Sequence, residues 1–271
     1  MSPNARTSGE LYWPGNAAKT RVIRDIAQRA VNKPSVVIFD YGCGEAAHWR
    51  AVLDSCPNFY LIAYDLDPRA RHAARKHLAG LRAEVLDDVE HIRFQADYIV
   101  SFSVFEHVYD RKHYLTLAKQ ALAPEGLFYL NYDDGHFRVW LDLSDVSSWG
   151  VNLRVLLHNI LAPLLAKAGY KTKFQARVYK EELHRLLELV GFEVYEEFYG
   201  NIGCLKGLYK YITQNKIGDF MNMWISFEEQ LNERFREKLG ENYAGDDVNL
   251  WRFMGSRTLV LRHKEARNEQ A

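Results

Sequence analysis

The sequence predicts an α/β fold: a doubly wound, mostly parallel seven-stranded sheet with helices on both faces and a helical cap formed by insertions. Three observations carry that expectation. A continuous apolar run of strand type, Ser35 to Phe39, ends at Asp40 and enters the glycine turn Tyr41-Gly-Cys-Gly-Glu-Ala46. Further apolar runs then alternate with helical patterns, as parallel strands joined by crossover helices require. The chain of 271 residues, 48% of them hydrophobic, is long enough to bury a sizeable core as one elaborated domain.

The elements follow in order. Val22, Ile23, Ile26, Ala27 and Ala30 recur at helical spacing, and Asn16 stands as N-cap after the breakers Pro14 and Gly15, so Ala17 to Ala30 reads as a helix. A second strand, Phe59 to Tyr64, ends at Asp65, and Pro68 suits the first turn of a helix through Ala70 to Leu78. A short strand near Ala83 to Leu86 precedes Asp87 and Asp88, and Asp97 to Phe102 reads as a buried fourth strand. A helix carries Tyr114 to Leu122, Ala123-Pro-Glu-Gly126 breaks it, and Leu127 to Tyr132 forms the fifth strand. Farther on, Tyr179 to Val190 reads as a helix, Phe192 to Phe198 as a strand and Arg257 to Arg262 as the last strand. Phe227, Leu231, Phe235 and Leu239 form one helical stripe, expected to be buried and opened by a Ser226/Glu229 capping box. These readings divide the chain into an N-terminal arm and helix (1–34), a core (35–136, 178–199 and 256–263) and inserted cap segments (137–177 and 200–255).

Composition narrows the partners. Lys plus Arg equals Asp plus Glu at 35 each, so no global field steers the chain onto nucleic acid. A small-molecule partner is expected because Phe137 to Gly169 and Gly200 to Met254 offer aromatic and aliphatic surface to cover a site. Three cysteines without metal-ligand spacing and a start without signal-peptide character imply a reducing, cytoplasmic setting and no metal site. The longest apolar stretch, Val151 to Leu165, carries Asn152, Arg154, His158 and Asn159 and is too short to span a bilayer of ~30 Å. Its exposed side offers a surface for pairing two chains as a homodimer.

In a strand-turn-helix unit, Gly42 and Gly44 allow tight backbone geometry and turn backbone amides toward a ligand. Gly42-Cys-Gly-Glu-Ala-Ala47 also satisfies a loose dinucleotide fingerprint, with Asp65 at roughly the ~20-residue distance of a ribose-binding acid, so NAD enters as an alternative. Asp40 weighs against it. A carboxylate two residues before the first glycine repels a pyrophosphate, whereas it suits a ligand carrying an ammonium and a sulfonium.

At this point the sequence resembles the class I S-adenosylmethionine-dependent methyltransferases. Phe39-Asp-Tyr-Gly-Cys-Gly-Glu-Ala46 is similar to their first motif and Tyr64-Asp-Leu-Asp-Pro68 to the end of their second strand. Ala96 to Val108 and Leu122 to Phe128 resemble their fourth- and fifth-strand signatures, and Tyr179 to Val194 the helix-glycine-strand pattern before their sixth strand. Ala46 departs from the pattern, standing where the family usually has a third glycine.

The resemblance implies S-adenosyl-L-methionine as cofactor, with Asp65 accepting the ribose hydroxyls and Asp87 or Asp88 receiving the adenine amino group. Leu66 and Phe102 would flank the ring. Ser101 and Ser103, at the carboxyl edge of the sheet, are candidates for the methionyl part. His136, Asp133 and His107 are candidates for moving the acceptor's proton, with His136 the leading base and Glu106 beside His107 as an acid-base partner or capping element. Tyr12 and Trp13 form an aromatic lead-in that packs as an arm or folds over the pocket as a lid. The expected reaction is methylation of a hydroxyl on a sugar or natural product. An N-methyltransferase, an RNA or protein methyltransferase, an NAD enzyme and a non-catalytic cofactor-binding module stand as alternatives.

Overall fold

The computed structural model describes residues 11–133, 174–240 and 254–264, with positions 153, 157, 160, 161, 164, 165 and 167–169. The strands are β1 (Val36–Tyr41), β2 (Phe59–Tyr64), β3 (Ala83–Val85), β4 (Ala96–Phe102), β5 (Leu122–Tyr132), β6 (Phe192–Ile202) and β7 (Met254–His263). They form a seven-stranded sheet in the order β3-β2-β1-β4-β5-β7-β6. Every pairing from β3 to β5 is parallel, and β7 runs antiparallel to both neighbours. The doubly wound, mostly parallel sheet expected from the sequence is therefore the observed one.

Helices α1 (Ala17–Arg29), α2 (Trp49–Ser55) and α3 (Pro68–His77) cover one face of the sheet. On the other face lie α4 (Arg111–Ala121) and α5 (Lys180–Val190). Residue alternation along β1 divides the two cores: Phe39 and Tyr41 face α4, whereas Val36 and Ile38 face α1 and α2. Local signals set the helix starts, since the Asn16 side chain accepts from the Lys19 N–H and Asp67 caps α3 just ahead of Pro68.

Three boundaries differ from the sequence reading. Ala123-Pro-Glu-Gly126 does not separate α4 from β5. It lies within β5 as a register shift, because Leu122 pairs with Ala96 and the next ladder pair is Leu127 with Tyr98. Gly126 permits this, as a Cβ there would stand 2.7 Å from Leu122 and 3.0 Å from two carbonyl oxygens. β6 continues to Ile202, so residues 200–202 of the expected cap belong to the sheet. Finally, α6 (Gly203–Tyr209) is followed by α7 (Ile217–Leu239), which runs through Ser226 without a break, so no capping box exists there. The expected Phe227 stripe is rotated: Phe227 is 45% exposed, whereas Met221, Trp224, Ile225, Glu228 and Asn232 are buried. Most of the cap segment 137–177 lies outside the described residues.

The reason for that rotation is the outer edge of the sheet. β6 is an edge strand, and its free backbone groups need partners. Asn232 supplies them for Tyr199, accepting from its N–H and donating to its carbonyl, each at 2.8 Å. The Glu228 carboxylate accepts from the Ile202 N–H at 2.8 Å and from the Trp224 indole at 2.6 Å. Asn201, at φ 63°, accepts from the Ala18 N–H through Oδ1 and donates to Ser256, joining β6, β7 and the start of α1. Replacing Asn232 by Ala strands a buried donor and acceptor on Tyr199. We expect a loss of about 2–3 kcal/mol in chemical denaturation, whereas Phe227→Ser on the exposed side changes stability by less than about 1 kcal/mol.

Candidate cofactor and active site

The carboxyl ends of β1, β2 and β4 open onto a cleft of about 630 Å³, the position where open α/β sheets hold ligands. Its floor is the turn after β1. Gly42 at φ 102° and Gly44 at φ 53° adopt backbone conformations that side chains disfavour, and Val104 packs so closely that a Cβ on Gly42 would lie 2.3 Å from it. Ala46 is also left-handed at φ 54°, and its methyl group is buried in the α1/α2 core. The departure from the family's glycine is thus accommodated, with backbone strain at that residue.

Asp65, at the end of β2, receives the Gly44 N–H on one carboxylate oxygen and the Asp67 N–H on the other, both at 2.9 Å. The acid is fixed with both oxygens in place and retains lone pairs for two vicinal hydroxyls. Leu66, Tyr64, Val89, Val104 and Leu117 line the adjoining part of the cleft as an apolar slot.

Asp40 is the chemically unusual residue. It is 2% exposed, its Oδ2 accepts from the Trp49 indole at 2.5 Å, and its Oδ1 has no hydrogen-bond partner. Burial pushes its carboxyl up to about 7. The Trp49 bond and the Lys19 ammonium oppose that shift, while Asp65 adds to it. A buried, half-satisfied carboxylate lining the cleft fits the ammonium of an aminoacyl ligand and would repel a pyrophosphate.

Sequence reasoning missed Lys19. This residue of α1 enters the cleft with its ammonium 5.4 Å from the Phe102 ring centre and 5.9 Å from that of Trp13. Burial lowers its pKa, against the raising influence of Asp40 and Glu106. Lys19 lies on a helix face otherwise read as core packing, so nothing in the linear pattern marked it. Trp13 packs edge-on against Phe102, Trp49 and His48 at 5.2–5.7 Å and forms part of the cleft wall, whereas Tyr12 packs into the cluster around α7.

Other expected residues are distributed unevenly. Asp40, Gly42, Gly44, Asp65, Leu66, Phe102, Ser103 and His107 meet in the cleft. Ser101 does not: it is fully buried and receives the Tyr114 hydroxyl at 2.8 Å, because inward alternation at the end of β4 points it into the α4 core. Asp87 is exposed and bonded to Arg75 at 2.7 Å, with Arg71 beside it at 3.8 Å. Asp88 is turned to the Glu90 N–H. In their place Glu90 and His113, 3.1 Å apart, line the cleft beside the apolar slot. Neighbouring charges hold Asp87 there, since Arg71 and Arg75 of α3 both reach it. Glu106 is buried in the 3₁₀ turn Phe105–His107 and accepts from the Asp133 N–H at 3.3 Å. Asp133 therefore stands at the same edge, just past β5. His136 lies outside the described residues.

The upward shift of the Asp40 carboxyl pKa has a stability consequence. The native state holds this proton between the ordinary carboxylate range near 3.8 and about 7, so its contribution is present below that window and lost as pH rises through it. Asp40→Asn keeps an acceptor for Trp49 and removes the buried charge. Without ligand, this variant should be more stable than the parent at pH 8 by about 2–4 kcal/mol, with the difference vanishing toward pH 4 in thermal melts.

Comparison with known proteins places this geometry. A family model described as a methyltransferase domain matches residues 16–197. Over 80 residues the chain is 35% identical to a trans-aconitate 2-methyltransferase of Sinorhizobium fredii, covering 30% of this chain and 31% of that one. Over 129 residues it is 27% identical to a cyclopropane-fatty-acyl-phospholipid synthase of Escherichia coli, covering 44% and 33%. The matched stretches span about a third of the length of these curated relatives. Among solved structures, a mycolic acid cyclopropane synthase complexed with SAH is similar in fold at 17% identity and TM-score 0.54, over 90% of this chain and 84% of that one. Coclaurine N-methyltransferase bound to N-methylheliamine and SAH is similar at 13% and 0.52, over 90% and 70%. The O-methyltransferase of a trans-AT polyketide synthase of Brevibacillus brevis, in complex with S-adenosyl-L-homocysteine, gives 12% and 0.51, over 91% and 73%. With the family model covering about two thirds of the chain, and with Asp40, Gly42, Gly44 and Asp65 lining one cleft, this chain belongs to the class I S-adenosylmethionine-dependent methyltransferases.

Proposed function

We propose that this chain methylates a small-molecule acceptor at a hydroxyl group, as on a sugar or natural product, leaving S-adenosylhomocysteine. The observation that carries the proposal is that the half-satisfied Asp40 carboxylate and a histidine, His107, line one and the same cleft. Asp40 takes the cofactor's ammonium, Lys19 its carboxylate and Asp65 its ribose hydroxyls, while Leu66, Val89 and Val104 enclose the adenine. Bound there, the cofactor supplies an electrophilic methyl group on a sulfonium; an acceptor oxygen lone pair forms the new bond as the carbon–sulfur pair returns to sulfur.

This chain's own task is orientation and proton transfer. Alignment of reactants supplies ~7–11 kcal/mol in favourable cases. Trp13, Phe102, Val108 and Tyr109 give the cleft aromatic and apolar walls that exclude water. His107 accepts the acceptor's hydroxyl proton, and Asp133 and Glu106 add negative charge at the same edge. His136, the leading base expected from the sequence, is the alternative acceptor of that proton in this proposal. The chain's net charge of zero favours a small acceptor over nucleic acid, and the free thiols of Cys43, Cys56 and Cys204 suit a reducing, cytoplasmic setting.

Two measurements test these roles. In titration calorimetry, Lys19→Met should weaken S-adenosylhomocysteine binding by about 10–100-fold through loss of a charge-assisted contact. Unchanged affinity would remove Lys19 from the carboxylate site. In a mass-resolved acceptor screen with labelled methyl donor, a hydroxylated small molecule should gain label. With that acceptor His107→Gln should lower kcat by about 10²–10⁴-fold while leaving S-adenosylhomocysteine affinity intact. Label on an amine alone would refute the hydroxyl assignment.

A further inference from the structure

One surface is not accounted for by methyl transfer. Leu153, Leu157, Ile160, Leu161, Leu164 and Leu165 are helical and between 43% and 58% exposed. Their spacing places them along one side of a helix, an exposed apolar stripe rather than single scattered residues. The stretch that carries them is also one-sided in charge. From Gly150 to Lys180 the sequence contains Arg154, Lys167, Lys171, Lys173, Arg177 and Lys180 and no Asp or Glu, in a chain whose net charge is zero.

We infer that this stretch docks on an anionic membrane surface, with the leucine stripe entering the acyl boundary and the lysines and arginines meeting lipid phosphates. An apolar stripe alone fits any greasy partner, but a stripe embedded in a purely cationic segment is complementary to a negatively charged bilayer. The apolar stretch Val151 to Leu165 is too short to span a bilayer of ~30 Å, so the contact is a surface one. The far end of the segment is anchored. The Ala176 N–H donates to the Glu106 carbonyl at 2.9 Å, and Arg111 donates to the carbonyls of Ala176 and Arg177 at 2.9 and 3.0 Å. Nearby, the Arg177 guanidinium lies 4.7 Å from the ring centre of Tyr179, itself half exposed, an amphipathic pair of the kind that occupies a membrane interface. The membrane-facing stretch is thereby tied to the wall of the cleft that carries His107.

The test is flotation of the purified full chain with vesicles of phosphatidylcholine containing phosphatidylglycerol, and with vesicles of phosphatidylcholine alone. Binding should favour the anionic vesicles and fall on addition of salt. Combining Leu157→Asn, Leu161→Asn and Leu164→Asn should reduce it by about tenfold or more, and Lys167→Ala by about fivefold. All three leucines are exposed, so unchanged S-adenosylhomocysteine affinity shows that the variant is folded and separates this result from the cofactor reading. Three outcomes overturn the inference: no flotation with anionic vesicles, equal flotation with both vesicle types, or equal flotation of the leucine variant. So does a dimer in light scattering that the same variant dissolves without any vesicle binding, since a second copy would then be the occupant.

Discussion

A carboxylate that the fold buries without fully satisfying governs this molecule. Asp40 is the penultimate residue of β1, the central strand of the parallel part of the sheet; it receives one hydrogen bond from Trp49 and leaves its other oxygen without a partner. The same residue that costs the protein stability attracts a cationic ligand, because both effects arise from low local dielectric. Its surroundings follow from that constraint. Trp49 occupies the core of α2 to hold one oxygen, Lys19 balances the charge from α1, and the glycines at 42 and 44 let the backbone turn tightly beside it.

A second constraint acts at the opposite end of the sheet. An exposed edge strand invites association, and here α7 covers β6 with amide and carboxylate side chains in place of another strand. Through Asn201 and Ala18, that arrangement reaches the first turn of α1, from which Lys19 enters the cleft. Edge protection and the cleft wall therefore share one helix.

The sequence made the parallel half of the fold legible because apolar runs and glycine punctuation are local. Phe59 to Tyr64 was read to the residue, and Asn16 and Pro68 marked their helix starts. What escaped was decided at long range. The buried face of α7 is set by Glu228 and Asn232 serving a strand some thirty residues earlier, and a hydropathy stripe gives polar residues no credit. The site shows the same division. Asp40, Asp65 and the glycines announced themselves by position in a motif. Lys19 did not, since it arrives from a helix whose pattern signals only packing, and Asp87 attracted attention while its actual partners, Arg75 and Arg71, sit one helix away.

Proton linkage tests the central role of Asp40 most directly. Calorimetric titration of S-adenosylhomocysteine near pH 6.5, repeated in buffers of different ionisation enthalpy, reports protons exchanged on binding. If the ligand ammonium draws Asp40 into its charged form, a proton is released on binding at this pH, the release fades well above pH 7, and Asp40→Asn abolishes it. Binding with no proton release at pH 6.5, or with the same release in Asp40→Asn, would contradict the account.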